Sequence, residues 1–124
     1  MKFEKAYIIQ RLSAKLQSCA DSGKDFTLSL NQVLALFENL EVCPYSGRKF
    51  STTRGTPNIP SFERINPEKG YEPGNVIIVT KVANNDKGQL DAFMKGNVIT
   101  DEMKVKLMRK AIYQIEKRMK EKGV

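Results

Sequence analysis

The sequence has no histidine, no tryptophan and only two cysteines, Cys19 and Cys43, which stand far apart. Neither cysteine belongs to a C-x-x-C pair, so a zinc ribbon or treble-clef site, which needs about four Cys, His or acidic ligands, is not expected. The missing imidazole also removes the side chain that most often serves as a general base near neutral pH. Two unpaired cysteines suit a reduced compartment. No apolar run approaches transmembrane length, and Glu4, Lys5, Gln10 and Arg11 interrupt the apolar residues of the N-terminal segment, leaving no signal-peptide core. These absences predict a cytoplasmic chain without a membrane partner.

With 124 residues, 40% of them hydrophobic, the chain is sized for one globular unit with a modest core. A formal charge of +7 favours a polyanionic partner, with nucleic acid as the leading candidate. The charge is uneven. Residues 1 to 42 carry five Lys or Arg against five Asp or Glu, whereas residues 104 to 122 carry eight against two.

Residues 3 to 19 place Phe3, Ile8, Leu12, Leu16 and Cys19 at near-helical spacing until Asp21-Ser22-Gly23 stops the pattern. Ser29-Leu30-Asn31-Gln32 reads as a capping box that opens a second helix ending near Leu40. From Cys43 to Pro60 the density of Gly, Pro, Ser and Thr predicts irregular backbone. Ile59 to Ile65 and the β-branched run Val76 to Thr80 read as two strands. Asn66-Pro67 through Gly74-Asn75 supplies the turn that pairs them antiparallel. A short helix is expected from Val82 to Asp86, ended by Gly88, with Asp91 to Val98 as a connector.

Thr100 caps a last helix reaching about Glu121, with acidic residues in its first turn and basic ones in its last. At ~100° per residue, Val105, Met108, Ala111, Ile112, Ile115 and Met119 share a face expected to pack. Lys106, Arg109, Lys110, Tyr113, Lys117 and Lys120 share the opposite one, a stripe that suits either solvent or phosphates. The predicted class is α+β, a single domain over 1–124: a helical part at 1–41, a hairpin-plus-helix module at 42–90, and a connector with a basic helix at 91–124.

Five segments of the central module occur in a telling order: Cys43-Pro-Tyr-Ser-Gly47, Ser61-Phe-Glu-Arg-Ile65, Lys69-Gly-Tyr71, Gly74-Asn75-Val76 and Ala83-Asn84-x-x-Lys87. Together they resemble the HNH endonuclease family, in particular its phage and prophage branch, in which Ser-x-Asp-Arg-Ile replaces Asp-His-Ile. The resemblance covers about residues 42 to 90. It implies a ββα-metal fold, with Glu63 and Asn84 at the positions of the metal ligands and Asn75 at the position of the asparagine that ties the loop together. A carboxylate and an amide oxygen suit Mg²⁺ or Mn²⁺ rather than zinc.

Arg64 falls where the catalytic imidazole should be, and a guanidinium cannot accept a proton from water. Its fork can instead hold a phosphate and stabilise charge in the transition state. Tyr71, Glu68 or Lys69 is then left as the candidate general base, Tyr71 first among them; Tyr71 also fits simple packing over the loop. Lys87, one helical turn after Asn84, suits a phosphate or solvent.

Two functions follow. One is a DNA endonuclease or nickase using Mg²⁺ or Mn²⁺, with Glu63, Arg64, Asn75 and Tyr71 in catalytic positions. In it, Arg64, Lys87, Lys106, Arg109, Lys110, Lys117 and Lys120 bind DNA. The other is an HNH-type fold without catalysis, acting as a DNA-binding module or as an inhibitor of a host protein. Both place the chain in the cytoplasm of a bacterial host. A structural or regulatory helical protein, with the central module only a folded hairpin, is a third and weaker reading.

Overall fold

The computed structural model describes residues 2–123. Among the described residues the class is α+β: four helices and one two-stranded antiparallel sheet. The chain separates into two compact units, Met1–Gly88 and Gln89–Val124.

In the first unit, α1 (Lys5–Ser22) buries Ile8 and Cys19 and ends where Gly23 takes a left-handed φ of 69°, its N–H donating to the Cys19 carbonyl. Glycine meets that conformation without a Cβ penalty, which is why the helix stops there. The capping box opens α2 (Leu30–Phe37): Ser29 Oγ accepts the Gln32 N–H at 3.1 Å, and Gln32 Oε1 accepts the Ser29 N–H at 2.8 Å. This helix stops three residues before the expected Leu40. The chain turns at Asn39, whose φ of 55° lies in a region asparagine tolerates better than most residues.

Strands β1 (Pro60–Arg64) and β2 (Val76–Thr80) pair antiparallel, with Phe62 opposite Ile78 and Glu63 opposite Ile77. They lie within the segments expected from β-branched content and turn chemistry. Side chains alternate across a strand. Phe62 and Arg64 therefore leave one face of β1, and Ser61 and Glu63 leave the other.

The Phe62 face builds the core. Rings run in sequence from Phe50 to Phe3, Phe37, Phe62, Phe26 and Tyr71, with successive centroids 5.2 to 6.1 Å apart. Four of these five contacts are edge-on, the arrangement the ring quadrupole favours. Val33, Cys43, Val76, Ile78 and Val79 fill the space around them. This aromatic series ties the segment before α1, the α1–α2 connection, α2, β1 and the β1–β2 loop into one core.

After β2, Thr80 Oγ1 accepts the Ala83 N–H at 3.4 Å as the chain enters α3 (Lys81–Lys95). This helix is much longer than the Val82–Asp86 expected, and the supposed connector from Asp91 is largely helical. Gly88 does not end it. A helical glycine costs only ~1 kcal/mol relative to alanine, and nothing crowds this one.

In the second unit, α4 (Asp101–Glu121) starts at the expected cap, Thr100 Oγ1 accepting the Met103 N–H at 3.2 Å. Lys104 donates to the carbonyls of Met94 and Gly96 at the end of α3. A lysine at that position satisfies orphan carbonyls and complements the negative end of the helix dipole. The apolar face of α4 was expected to pack, but none of its residues is buried. Val105, Ile112, Ile115 and Met119 are each about half exposed.

Candidate functional site: the strand face beneath helix α3

On the face of β1 turned away from the aromatic core, Ser61 and Glu63, two residues apart on the strand, meet Asn84 and Lys87, three apart on the helix. The two periodicities bring four polar side chains together. Asn84 Nδ2 donates to Ser61 Oγ at 2.6 Å and to the Phe62 carbonyl at 3.2 Å. Phe62 O can only accept, so the amide nitrogen is the atom turned to the strand, and Oδ1 is left as the acceptor of that side chain.

Glu63 is 4% exposed, a degree of burial that carboxylates rarely show without a partner. Lys87 Nζ lies 3.2 Å from Glu63 Oε2, and also donates to the Arg64 carbonyl at 3.3 Å. The ammonium neutralises the carboxylate by charge, but Oε2 receives no properly aligned hydrogen bond. Burying an ion pair costs desolvation that Coulomb attraction offsets only with good hydrogen bonding. A buried ion pair with this geometry is therefore no strong source of stability for the fold.

The β1–β2 loop is closed by Asn75, which is buried. Its Oδ1 accepts the Asn66 N–H at 2.8 Å, and its Nδ2 donates to the carbonyls of Asn66 at 3.1 Å and Gly70 at 2.9 Å. Three hydrogen bonds from one side chain fix both ends of the loop. Gly70 abuts the segment before α2: a Cβ there would stand 3.0 Å from the backbone oxygen of Asp25. Tyr71 then exchanges backbone hydrogen bonds with that segment, donating to Asp25 O at 3.0 Å and accepting from Thr27 N–H at 2.9 Å.

The structure does not bring Arg64 and Tyr71 to the Glu63 face. Arg64 leaves the opposite side of β1, where Nη1 donates to the carbonyls of Pro67 at 3.0 Å and Lys69 at 3.2 Å, and its guanidinium stands 5.4 Å from the centre of the Tyr71 ring. Tyr71 is 5% exposed and stacks on Phe26, with Lys15 Nζ 4.3 Å from its ring centre. Strand alternation turns Arg64 away from Glu63, and Tyr71, in the loop between the strands, takes the packing alternative. Arg64 organises the loop, and Tyr71 ends the aromatic series rather than facing Glu63 as a base.

Glu68 and Lys69 lie in the same loop, where backbone atoms of both support the turn: Glu68 N–H donates to Asn66 Oδ1 at 3.0 Å, and Lys69 N–H to Asn66 O at 3.1 Å. Lys87 had been expected to reach a phosphate or solvent. It sits instead against Glu63, its side chain 17% exposed. In the sequence Ser61 stands out only as part of the Ser61–Ile65 motif. Its position two residues before Glu63 on a strand is the signal that puts it on the same face. Lys106, Arg109, Lys110, Lys117 and Lys120 are all exposed on α4.

A second polar arrangement surrounds Cys43, which is buried. Its Sγ accepts from Ser46 N–H at 3.4 Å, Thr80 N–H at 3.3 Å and Thr80 Oγ1 at 3.6 Å. Burial pushes the thiol up, but these donors together more than offset it and set the pKa at about 7. The sulfur joins the knuckle at Cys43–Gly47 to the end of β2, a structural duty consistent with a small buried cysteine.

Among the described residues no group of three or more Cys, Asp or Glu side chains gathers into a ready ligand cage. No helix of the described residues is long and apolar enough to cross a membrane. Comparison with known protein families, curated proteins and solved structures finds no match for this chain.

Proposed function

We propose that this chain is a divalent-cation-dependent DNA endonuclease or nickase of HNH type, with Glu63 and Asn84 as its cation ligands. The observation that carries the reading is the buried Glu63 carboxylate, on the strand face covered by α3, with an oxygen that no aligned hydrogen bond claims. The donor set fits Mg²⁺ or Mn²⁺ in its sparsest form. Such ions bind through one or two carboxylates, keep several waters and take further ligands from substrate phosphates. When bound, the ion polarises a phosphate and lowers the pKa of water.

The residues of the chain have separate duties. Glu63 supplies the hard anionic ligand, and Asn84 is oriented by its two donations to β1, which leave Oδ1 to coordinate. Lys87 neutralises Glu63 before the cation arrives and turns to a DNA phosphate once displaced. Asn75 and Arg64 hold the loop that aligns the strands. The exposed Lys and Arg of α4 supply sequence-independent phosphate contacts. With Tyr71 in the core and no imidazole in the chain, general-base help of the usual ~10²–10⁴-fold is missing, so a slow enzyme is expected.

The reading is tested by titrating Mn²⁺ into the protein and into Glu63→Gln, following free Mn²⁺ by electron paramagnetic resonance. A stoichiometric site in the native chain that Glu63→Gln lacks supports it. Equal binding by both chains overturns the ligand assignment.

The Lys87–Glu63 ion pair favours a second reading, the same fold without catalysis. There an ammonium stands permanently in place of the cation, and the protein grips DNA or a host protein. This reading requires DNA or protein binding indifferent to chelator. Nuclease activity dependent on Mg²⁺ or Mn²⁺ would exclude it.

A further inference from the structure

We infer that α4 is a self-association element, pairing antiparallel with the α4 of a second copy of this chain. The inference stands on the helix alone and does not depend on the nuclease reading. Val105, Met108, Ile112, Ile115 and Met119 follow one another at intervals of three, four, three and four residues. That alternation is the a/d seam of a heptad repeat, which presents one narrow apolar line along a helix. In the structure four of the five are exposed, Ile112 by 52%, Val105 by 48%, and Ile115 and Met119 by 46% each, while Met108 is half-buried.

Charges beside the seam choose the occupant and its direction. With Val105 at a, Arg109 and Glu116 take e positions, and Lys104, Ala111 and Arg118 take g positions. A parallel pair sets g against the e of the partner's next heptad, so Lys104 would face Arg109 twice over, like charge against like. An antiparallel pair sets e against e and g against g. In the register that faces Ile112 with Ile115 and Met108 with Met119, Arg109 meets Glu116 on both sides of the two-fold axis, and Arg118 meets only the neutral Ala111. Displaced by one heptad, an antiparallel register would oppose Arg109 to Arg109 and Lys104 to Arg118 in one direction, or Glu116 to Glu116 and Arg118 to Arg118 in the other. One arrangement alone is free of repulsion, and it is self-complementary, as a two-fold pair demands. Lys104 is already occupied by the carbonyls of Met94 and Gly96.

The seam spans only about two heptads, so association is expected to be concentration-dependent rather than permanent. Sedimentation equilibrium of the whole chain up to roughly 1 mM reads it directly, since even a weak complex populates there. The average mass is expected to climb from 14.1 kDa toward twice that value. Ile112→Lys with Ile115→Lys should remain monomeric with unchanged helical circular dichroism, because α4 buries no residue on its own. At low salt, Arg109→Glu and Glu116→Arg should each weaken association roughly tenfold, and their combination should restore it. A monomer at every concentration, the result if the seam lies against another protein or nucleic acid, overturns the inference. So does a dimer indifferent to the Ile112 and Ile115 substitutions. Tighter association by Arg109→Glu would show a parallel pair and overturn the antiparallel arrangement.

Discussion

On the proposed nuclease reading, Lys87 and Glu63 are the pair on which the chemistry turns. Removing the lysine leaves a buried carboxylate without a counter-charge, and breaking such a pair typically costs ~3–5 kcal/mol. If the same carboxylate binds a cation, that loss is recoverable. Lys87→Met is therefore expected to lower the melting temperature in chelator and to regain much of it in Mn²⁺, whereas Glu63→Gln should show no Mn²⁺ response; differential scanning calorimetry with and without Mn²⁺ checks both. Cys43 gives a pH signature of opposite origin. A thiol with a pKa of about 7 when folded, below its usual value near 9, binds fewer protons in the folded chain than in the unfolded one. Stability should then rise from about pH 7 toward pH 9, be lost as pH falls through 7, and flatten in Cys43→Ala, as thermal melts across that range would show.

The loop and the strand decide which polar residues meet. Asn75→Ala removes three partly buried hydrogen bonds and leaves backbone groups of Asn66 and Gly70 without their side-chain partner, so a loss of ~1–3 kcal/mol by urea denaturation is expected. Gly70→Ala should cost ~1–3 kcal/mol by the same measurement, because the added methyl meets backbone rather than a movable side chain. The two strands and the Ser29 and Thr100 caps were legible in the sequence, since turn chemistry, β-branched runs and cap residues act over a few neighbours. Local signals also put Glu63, Asn84 and Lys87 within one module. What they could not assign was the face of the strand. Arg64 follows Glu63 by a single residue, so the two point to opposite sides, and only the packing of Phe62 and Tyr71 reveals which side is core. The length of α3 was hidden for a related reason: Gly88 resembles a helix terminator unless the backbone beyond it is seen to remain helical.

At the scale of the whole molecule, exposed positive charge and exposed apolar side chains both concentrate on α4. The basic excess is concentrated on α4, whose lysines and arginines are exposed, and DNA affinity is expected to fall linearly on a log–log plot against salt. Replacing Lys106, Lys110, Lys117 and Lys120 by glutamine should reduce that slope by roughly three to four, as fluorescence anisotropy with a labelled duplex would report. Sequence periodicity found both faces of α4 but assigned the apolar one to a core. Period alone shows that a face is apolar, not what covers it.

Whether Glu63 anchors a cation for phosphodiester cleavage in a protein without histidine is read on a gel. Supercoiled plasmid is incubated at low salt with the native chain or with Glu63→Ala, in Mn²⁺, in Mg²⁺ or in chelator. Nicked circles that form slowly with the native chain, only with metal, and not with Glu63→Ala are the predicted result. Plasmid left supercoiled in every lane, or nicked equally by Glu63→Ala, would contradict it.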